Sequence, residues 1–206
     1  VYTQTPKKSK RGQKINLSPI HVFANKEKIN VRHPEILDSK EAKHINDLKA
    51  DVAIVVAFGQ ILPKEILQIN NIKFLNIHAS LLPRWRGAAP IQRAIMEMDN
   101  ETGISIMKIV PKLDAGPVLI KEKIKIEKND NFDSLSKKLS NLGSKLILES
   151  LDLIETKSAN FIEQNENFAT YAKKINKEES KIDWKNPANV LIAKINGLSP
   201  TPGVWF

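Results

Sequence analysis

Short apolar runs alternate with amphipathic segments along most of the chain. Residues 51–57 form a continuous apolar run rich in β-branched side chains, which is typical of a strand buried on both faces of a sheet. Residues 73–77 have the same character. Helices are predicted at 18–28, 39–49, 63–69, 89–98 and 131–156, and further strands at 30–33, 103–110 and 118–126. This alternation with short connections predicts an α/β fold with a doubly wound, parallel or mixed sheet.

Two segments lack this periodicity. Residues 5–17 contain Pro6 and Gly12 and are predicted to form an exposed loop. Polar residues dominate 157–169, which indicates a linker. Past the linker, a helix is predicted to begin after Asn186-Pro187 and to end at Gly197. We therefore expect a main domain over residues 1–157, a linker over 158–174 and the start of a second domain over 175–206.

The composition is that of an ordinary globular protein that can bury a core, with 41% hydrophobic and 27% charged residues among 206. No apolar run reaches the roughly 20 residues that a membrane-spanning helix needs. We expect a cytoplasmic location. The chain has no cysteine, which excludes disulfides, thiolate nucleophiles and cysteine metal ligands.

The net charge of +9 predicts attraction to polyanions, but it does not choose among nucleic acid, anionic membranes and phosphorylated metabolites. The local distribution is more informative. Five of the eight residues from 7 to 14 are basic and none is acidic: Lys7, Lys8, Lys10, Arg11 and Lys14. A solvated charged loop is the alternative to a binding function here.

Two polar side chains stand at the end of the second buried strand. Asn76 and His78 are two residues apart, so they project from the same face, about 7 Å apart along the strand. Asparagine is disfavoured inside strands. Ligands of open α/β sheets bind beyond the carboxyl ends of the strands, which makes this pair a candidate site. A histidine buried for structural reasons remains the alternative.

A second polar centre lies in the loop 112–117, where Asp114 precedes Ala115 and Gly116. This order is also a common turn formula, so a structural role stays open. An amide, an imidazole and a carboxylate suit group transfer to an amine, since the amine loses a proton and the developing oxyanion needs donors. The chain has no nucleophile-elbow serine, zinc-protease HExxH, P-loop or GxGxxG motif.

Two blocks resemble one known family. Residues 76–92 (NIHASLLPRWRGAAPIQ) are similar to the core motif of the folate-dependent formyltransferases, and residues 102–117 (TGISIMKIVPKLDAGP) resemble the family's other active-site loop at matching separation. Residues 82–90 are most like the branch whose substrate is methionyl-tRNA. The similarity extends over nearly the whole chain, including 171–174 and 181–184.

This resemblance implies a Rossmann-like sheet and a metal-independent transfer in which 10-formyltetrahydrofolate is the co-substrate. It makes Asn76, His78 and Asp114 the catalytic trio. Asn76 and protonated His78 would stabilise the oxyanion, while Asp114 would orient His78, raise its proton affinity and assist proton movement. The folate site implied by the family comprises Phe58, Gly59, Ile61 and Leu62 together with Ser80, Leu81, Leu82 and Pro83.

The resemblance further implies that the formyl acceptor is the amino group of initiator methionyl-tRNA, for translation initiation. The basic segment would enter the acceptor arm, with Lys7, Lys8, Lys10, Arg11 and Lys14 contacting the RNA. A small C-terminal β-barrel of OB-like type would hold tRNA. We expect a monomer that binds neither DNA nor membranes. We also expect a fragment that lacks the family's first strand and helix and most of this barrel.

Three alternatives remain open. An amino-sugar formyltransferase would share the trio and the folate but act on a nucleotide-linked sugar, and the basic segment and the second domain argue against it. Glycinamide ribonucleotide formyltransferase would have no use for a second domain. An RNA-binding module that retains the fold without chemistry is the alternative from another class, and the intact trio argues against it.

Overall fold

The computed structural model describes residues 1–9, 14–70 and 72–206, which form two compact units, 1–73 and 74–206. The first unit contains β1 (Lys7–Ser9), β2 (Lys14–Asn16), α1 (Pro19–Lys26), α2 (Ser39–Asp47), β3 (Val52–Val55) and α3 (Lys64–Leu67). The strand β4 (Lys73–His78) begins with the last residue of that unit. The second unit continues with β5 (Arg86–Gly87), α4 (Pro90–Met96), β6 (Glu101–Lys108), β7 (Val118–Lys125), α5 (Phe132–Glu155), β8 (Tyr171–Ala172) and α6 (Ala188–Leu198). All the predicted helices are present.

The prediction of an exposed loop at 5–17 is wrong in part, because this range contains two paired strands. β1 and β2 pair antiparallel, with Lys8 opposite Ile15. A lysine-rich sequence lacks the apolar alternation from which strands are predicted, whereas a hairpin needs only backbone pairing. Residues 10–13 lie outside the described residues.

The strand predicted at 51–57 is present but shorter, and its burial on both faces is not observed. Ile54 is 44% exposed and Val56 is 56% exposed. An apolar run indicates that a strand favours being covered, but it does not specify what covers it. The strand predicted at 30–33 is reduced to one parallel bridge between Tyr2 and Arg32.

In the second unit β6 pairs antiparallel with β4 on one side and with β7 on the other. Asn76 lies opposite Met107, and His78 lies opposite Ser105. The purely parallel alternative is therefore wrong for these three strands. The register places both candidate site residues of β4 beside the buried strand β6.

The long helix predicted at 131–156 is confirmed. Its first turn is closed by a capping box in which Asn131 and Ser134 each bond the other's backbone N–H. Its buried face includes Leu135, Leu139 and Leu146. A side chain at Gly143 would place Cβ 3.0 Å from the Ile77 side chain, so α5 packs closely behind the strand that carries the site.

Gly197 does not end the last helix, contrary to the prediction, because α6 continues to Leu198. A Cβ at Gly197 would lie 2.7 Å from the side chain of Met96 and 3.1 Å from the carbonyl oxygen of Gln92. The glycine therefore permits the close approach of α6 to α4. Within the described residues 174–206 no barrel is closed, and the barrel-like domain stays a prediction.

Residues 158–174, predicted as a linker, contact the rest of the second unit. Ile162 forms an antiparallel bridge with Val118, and β8 pairs in parallel with β5. A short 3₁₀ helix, Glu166–Phe168, lies between them. The predicted boundaries at 157 and 174 stay predictions.

Candidate active site

His78 is the last residue of β4 and is only 5% exposed. Its Nε2 lies 2.8 Å from the carbonyl oxygen of Trp85. Because a carbonyl can only accept a hydrogen bond, Nε2 is the donor and carries a proton. This contact fixes the ring orientation and turns Nδ1 toward the loop that follows β6.

Asp114 lies in that loop in the left-handed region, with φ of 45°. Its Oδ2 accepts a hydrogen bond of 2.8 Å from the backbone N–H of Gly87 and lies 3.6 Å from Nδ1 of His78. Both ring nitrogens of His78 thus face oxygen acceptors. The Nε2 contact is within hydrogen-bond range, whereas the Nδ1 contact of 3.6 Å is longer than a hydrogen bond.

Asn76 lies on the same face of β4 as His78 and is partly exposed. Among the described residues its side-chain amide has no hydrogen-bond partner. An amide at the end of a buried strand with its donors unused is available to a ligand oxygen. The structure thus brings His78 and Asp114 together and leaves Asn76 free beside them.

The expected folate segment of the second unit is largely turned inward. Ser80 and Leu82 are 0% and 2% exposed. The Ser80 hydroxyl donates to the carbonyl oxygen of Arg84 over 2.6 Å. Ser105 accepts from the backbone N–H of Leu82 and donates to the carbonyl oxygen of Ser80. Leu81 and Pro83 are partly exposed, and these two offer side-chain surface to a ligand.

The expected folate residues of the first unit follow β3. The carbonyl oxygen of Phe58 accepts 2.9 Å from the side-chain amide of Gln4. Gly59 has φ of 75°, which favours glycine. Ile61 is 91% exposed and Leu62 is partly exposed. The roles of all eight residues in folate binding stay predictions.

The basic segment is described only in its backbone. Lys7 and Lys8 lie on β1, and Lys14 lies on β2. Lys10 and Arg11 lie outside the described residues, so the predicted RNA contacts stay predictions.

Sequence reasoning missed three groups that lie around His78 and Asp114. These are the carbonyl of Trp85, the backbone N–H of Gly87 and the side chain of Arg86, which is fully buried. A backbone group leaves no mark in the residue types. The signal for Arg86 was a charged residue within a block that is otherwise apolar and small, residues 85–90.

Two further properties of the described residues bear on the chemistry. No group of three or more histidine, aspartate or glutamate side chains in ranges 1–9, 14–70 and 72–206 could hold a metal ion. Over the same ranges, no helix is long and apolar enough to cross a membrane.

The imidazole of His78 and the amide of Asn76 at the end of β4 thus lie beside the carboxylate of Asp114, which the loop after β6 supplies. Sequence comparison matches residues 1–151 to the formyl transferase family and residues 174–206 to the formyl transferase C-terminal domain. The chain therefore belongs to the formyl transferase family.

Two similar relatives are methionyl-tRNA formyltransferases. That of Pelagibacter ubique is 52% identical over 208 residues, and that of Parvibaculum lavamentivorans is 45% identical over 207. Each alignment covers 100% of this chain and 67% of the relative.

Solved structures share the mixed α/β fold. A 4-N formyltransferase from Francisella tularensis has a TM-score of 0.73 at 20% identity, covering 90% of this chain and 76% of that one. The N-formyltransferase of Helicobacter canadensis, in complex with folinic acid and dTDP-3-aminofucose, has a TM-score of 0.74 at 20% identity, covering 95% and 68%. HypX from Aquifex aeolicus, in complex with tetrahydrofolic acid, has a TM-score of 0.71 at 19% identity, covering 88% and 32%. At these identities the likeness concerns the fold.

Proposed function

We propose that this chain transfers a formyl group from 10-formyltetrahydrofolate to the amino group of methionyl-tRNA. The observation that carries the proposal is the position of His78 between the Trp85 carbonyl and the Asp114 carboxylate, beside the unused amide of Asn76. Relatives named methionyl-tRNA formyltransferase align along the whole chain, which favours this acceptor.

The site residues suit the charges that develop in the reaction. As the amine nitrogen forms its bond to the formyl carbon, negative charge develops on the formyl oxygen, and Asn76 and His78 offer N–H donors to it. The 3.6 Å between His78 Nδ1 and Asp114 Oδ2 exceeds an ordinary hydrogen bond, so Nδ1 is not committed to Asp114 and can donate to the formyl oxygen.

Protons balance without an outside acid or base. The bond between the formyl carbon and the folate nitrogen breaks, the amine loses one proton, and the folate nitrogen gains one. Asp114 is the carboxylate beside this path and assists the transfer. Folate supplies the one-carbon group, and a donor set of amide, imidazole and carboxylate needs no metal to act on it.

For the RNA, we propose that the basic side chains of the segment 7–14 contact phosphates of the acceptor arm. Contacts of this kind position RNA without reading its sequence, and they weaken with salt. Replacing Arg11 and Lys14 by alanine is expected to weaken tRNA binding and to reduce its salt dependence by about one counterion per residue. An unchanged salt slope would exclude this role. We further propose that residues 175–206 begin a tRNA-holding domain.

The test is mass spectrometry of methionyl-tRNA after incubation with 10-formyltetrahydrofolate. The assay uses the chain extended to the full length of its relatives, because it spans 67% of that length. The expected result is a mass gain of one formyl group on methionine. Asp114→Asn is expected to slow it by about 10²- to 10⁴-fold while tRNA binding is retained.

The alternative acceptor is a nucleotide-linked amino sugar, the class of ligand present in the Helicobacter canadensis structure. A formyl gain on such a sugar and none on methionyl-tRNA, from protein with a native circular dichroism spectrum, would replace the tRNA assignment. If Asp114→Asn formylates methionyl-tRNA as fast as the parent protein does, the proposed site is rejected but the proposed reaction stands.

A further inference from the structure

Gln164 contacts the loop that carries Asp114. Its side-chain Nε2 donates to the carbonyl oxygen of Asp114 over 2.9 Å and to that of Gly116 over 2.7 Å. A primary amide has two N–H donors, and both are used here on a single loop. Gln164 is 50 residues away from Asp114 in the sequence, in the segment predicted as a linker.

Arg86 fixes the orientation of this amide. Gln164 Oε1 accepts from Nε and Nη2 of Arg86 over 3.0 and 2.8 Å. Because a guanidinium only donates, the oxygen of the amide must face it, and the NH₂ group must face the loop. Arg86 itself is 0% exposed, and Gly87, the next residue, donates its N–H to Asp114 Oδ2. Gln164, which Arg86 orients, thus holds the carbonyl of Asp114, and Gly87 holds its carboxylate.

Glu166 neutralises the buried guanidinium. Its two carboxylate oxygens accept from Arg86 over 3.0 and 3.1 Å, and one also accepts from Lys112 over 2.6 Å. The hydrogen bonds from Arg86, and then the one from Lys112, lower the pKa of Glu166 to about 2. Burial opposes the charge of Arg86, but Glu166 and Tyr171 together outweigh it and hold the pKa of the guanidinium above its usual value. The arrangement is therefore ionised at neutral pH.

Asp114 needs such an anchor because its φ of 45° lies in the left-handed region, which an aspartate enters only at some cost. We propose that Gln164 is a positioning residue for formyl transfer, which holds the loop of Asp114 so that Oδ2 faces His78. This inference rests on the proposed function. A displacement of about 1 Å at a reacting group costs up to roughly 100-fold in rate.

The decisive variant is Gln164→Glu. It keeps the size of the side chain and the contact to Arg86, but the oxygen that replaces Nε2 faces the two loop carbonyls, so both donors are lost. The expected result is a kcat about 10- to 100-fold lower with little change in KM for either substrate. Gln164→Ala removes the same donors without adding charge and is expected to lower kcat in the same way.

The matched control is Asn165→Ala. Asn165 is the next residue, and its side chain accepts from the backbone N–H of Asn167, within its own segment. It is expected to leave kcat within about twofold of the parent. If Asn165→Ala lowers kcat as much as Gln164→Glu does, or if both Gln164 variants leave kcat unchanged, the positioning role is overturned.

A double variant separates positioning from general damage. In the Asp114→Asn background, Gln164→Glu is expected to cause little further loss of kcat, because the carboxylate that Gln164 positions is already absent. Full additivity would reject the inference.

A second readout does not depend on activity. Hydrogen exchange at the Gly87 amide, which is protected by Asp114 Oδ2, is expected to quicken about tenfold in Gln164→Glu and not in Asn165→Ala. If the extended parent protein does not formylate methionyl-tRNA, the proposed function fails while this exchange still decides whether Gln164 holds the loop. Unchanged exchange in Gln164→Glu would sink the inference even in an active enzyme.

Discussion

Gly87 donates its backbone N–H to Oδ2 of Asp114, the same oxygen that faces the ring of His78. Its φ of 117° is a conformation that L side chains rarely adopt. A Cβ at this position would also lie 2.8 Å from the carbonyl oxygen of Ala172 in the neighbouring strand β8. The backbone at residue 87 is therefore suited to glycine both by its dihedral angle and by the space around it.

Gly87→Ala is expected to destabilise the fold by about 1 to 3 kcal/mol, since alanine there is strained and meets backbone rather than a movable side chain. Urea unfolding followed by circular dichroism measures the change. Gly203→Ala is the control, because Gly203 also has a positive φ, of 80°, but its nearest atom would be 3.7 Å away. An equal loss in both variants would show that the contact with β8 adds nothing.

Ser105 and Thr102 form a matched pair on strand β6. Both are buried, but Ser105 bonds the backbone of Leu82 and Ser80, whereas the Thr102 hydroxyl has no partner among the described residues. Ser105→Ala is expected to cost about 1 to 3 kcal/mol, because two buried backbone groups lose their partner. Thr102→Val is expected to be neutral or stabilising. The denaturant midpoints of the two variants measure these changes in stability, and a large loss of stability in Thr102→Val would contradict this account.

Acid unfolding is expected to report the ion pair of Glu166. Its pKa is lowered from 4.5 to about 2 by Arg86 and Lys112, so its stabilising contribution is complete above about pH 4.5 and is lost as the pH falls toward 2. Glu166→Gln is expected to flatten the decline of unfolding free energy over this window. Glu163→Gln is the control for removing one carboxylate, since Glu163 is exposed and makes no ion pair among the described residues. Identical slopes in parent and Glu166→Gln would contradict the pairing.

Alkaline titration is expected to single out Tyr2. Burial, and then its hydrogen bond of 2.8 Å to Glu41, raise the pKa of Tyr2 from 10.0 to about 12. The stability this provides is complete below about pH 10 and is lost as the pH rises through 12. The chain has two tyrosines, so Tyr171→Phe leaves only Tyr2. The tyrosinate absorbance of this variant should then rise with a midpoint near pH 12. Adding Glu41→Gln should lower the midpoint, and a midpoint near 10 in the folded Tyr171→Phe protein would refute the assignment.

The elements that could be predicted from the sequence are those whose signal is local. The helix α5 is predicted from its apolar period and from Asn131 at its start, because both act within a few turns of the backbone. The strand β4 is predicted from a continuous apolar run. The hairpin of β1 and β2 escapes because cross-strand pairing of lysine-rich segments leaves no apolar pattern.

In the site, the sequence pattern indicates Asn76 and His78 by their spacing and Asp114 by its place in a loop between two apolar strands. The pattern does not indicate Gln164 or Glu166, because a polar contact across 50 or 80 residues has no period. Gln164 and Glu166 belong to the polar segment that is predicted as a linker, but their side chains bond the loop of Asp114 and the buried Arg86.

The distance between Arg86 and Glu166 along the chain has a consequence for synthesis on the ribosome. Eighty residues separate them, and at roughly 5 to 20 residues per second the nascent chain takes about 4 to 16 s to add that length. During this interval a guanidinium destined for the interior has no carboxylate from residue 166 to meet. The hydrogen bonds around Arg86 are thus completed late, by a part of the polypeptide that emerges after every strand of the β4–β6–β7 sheet.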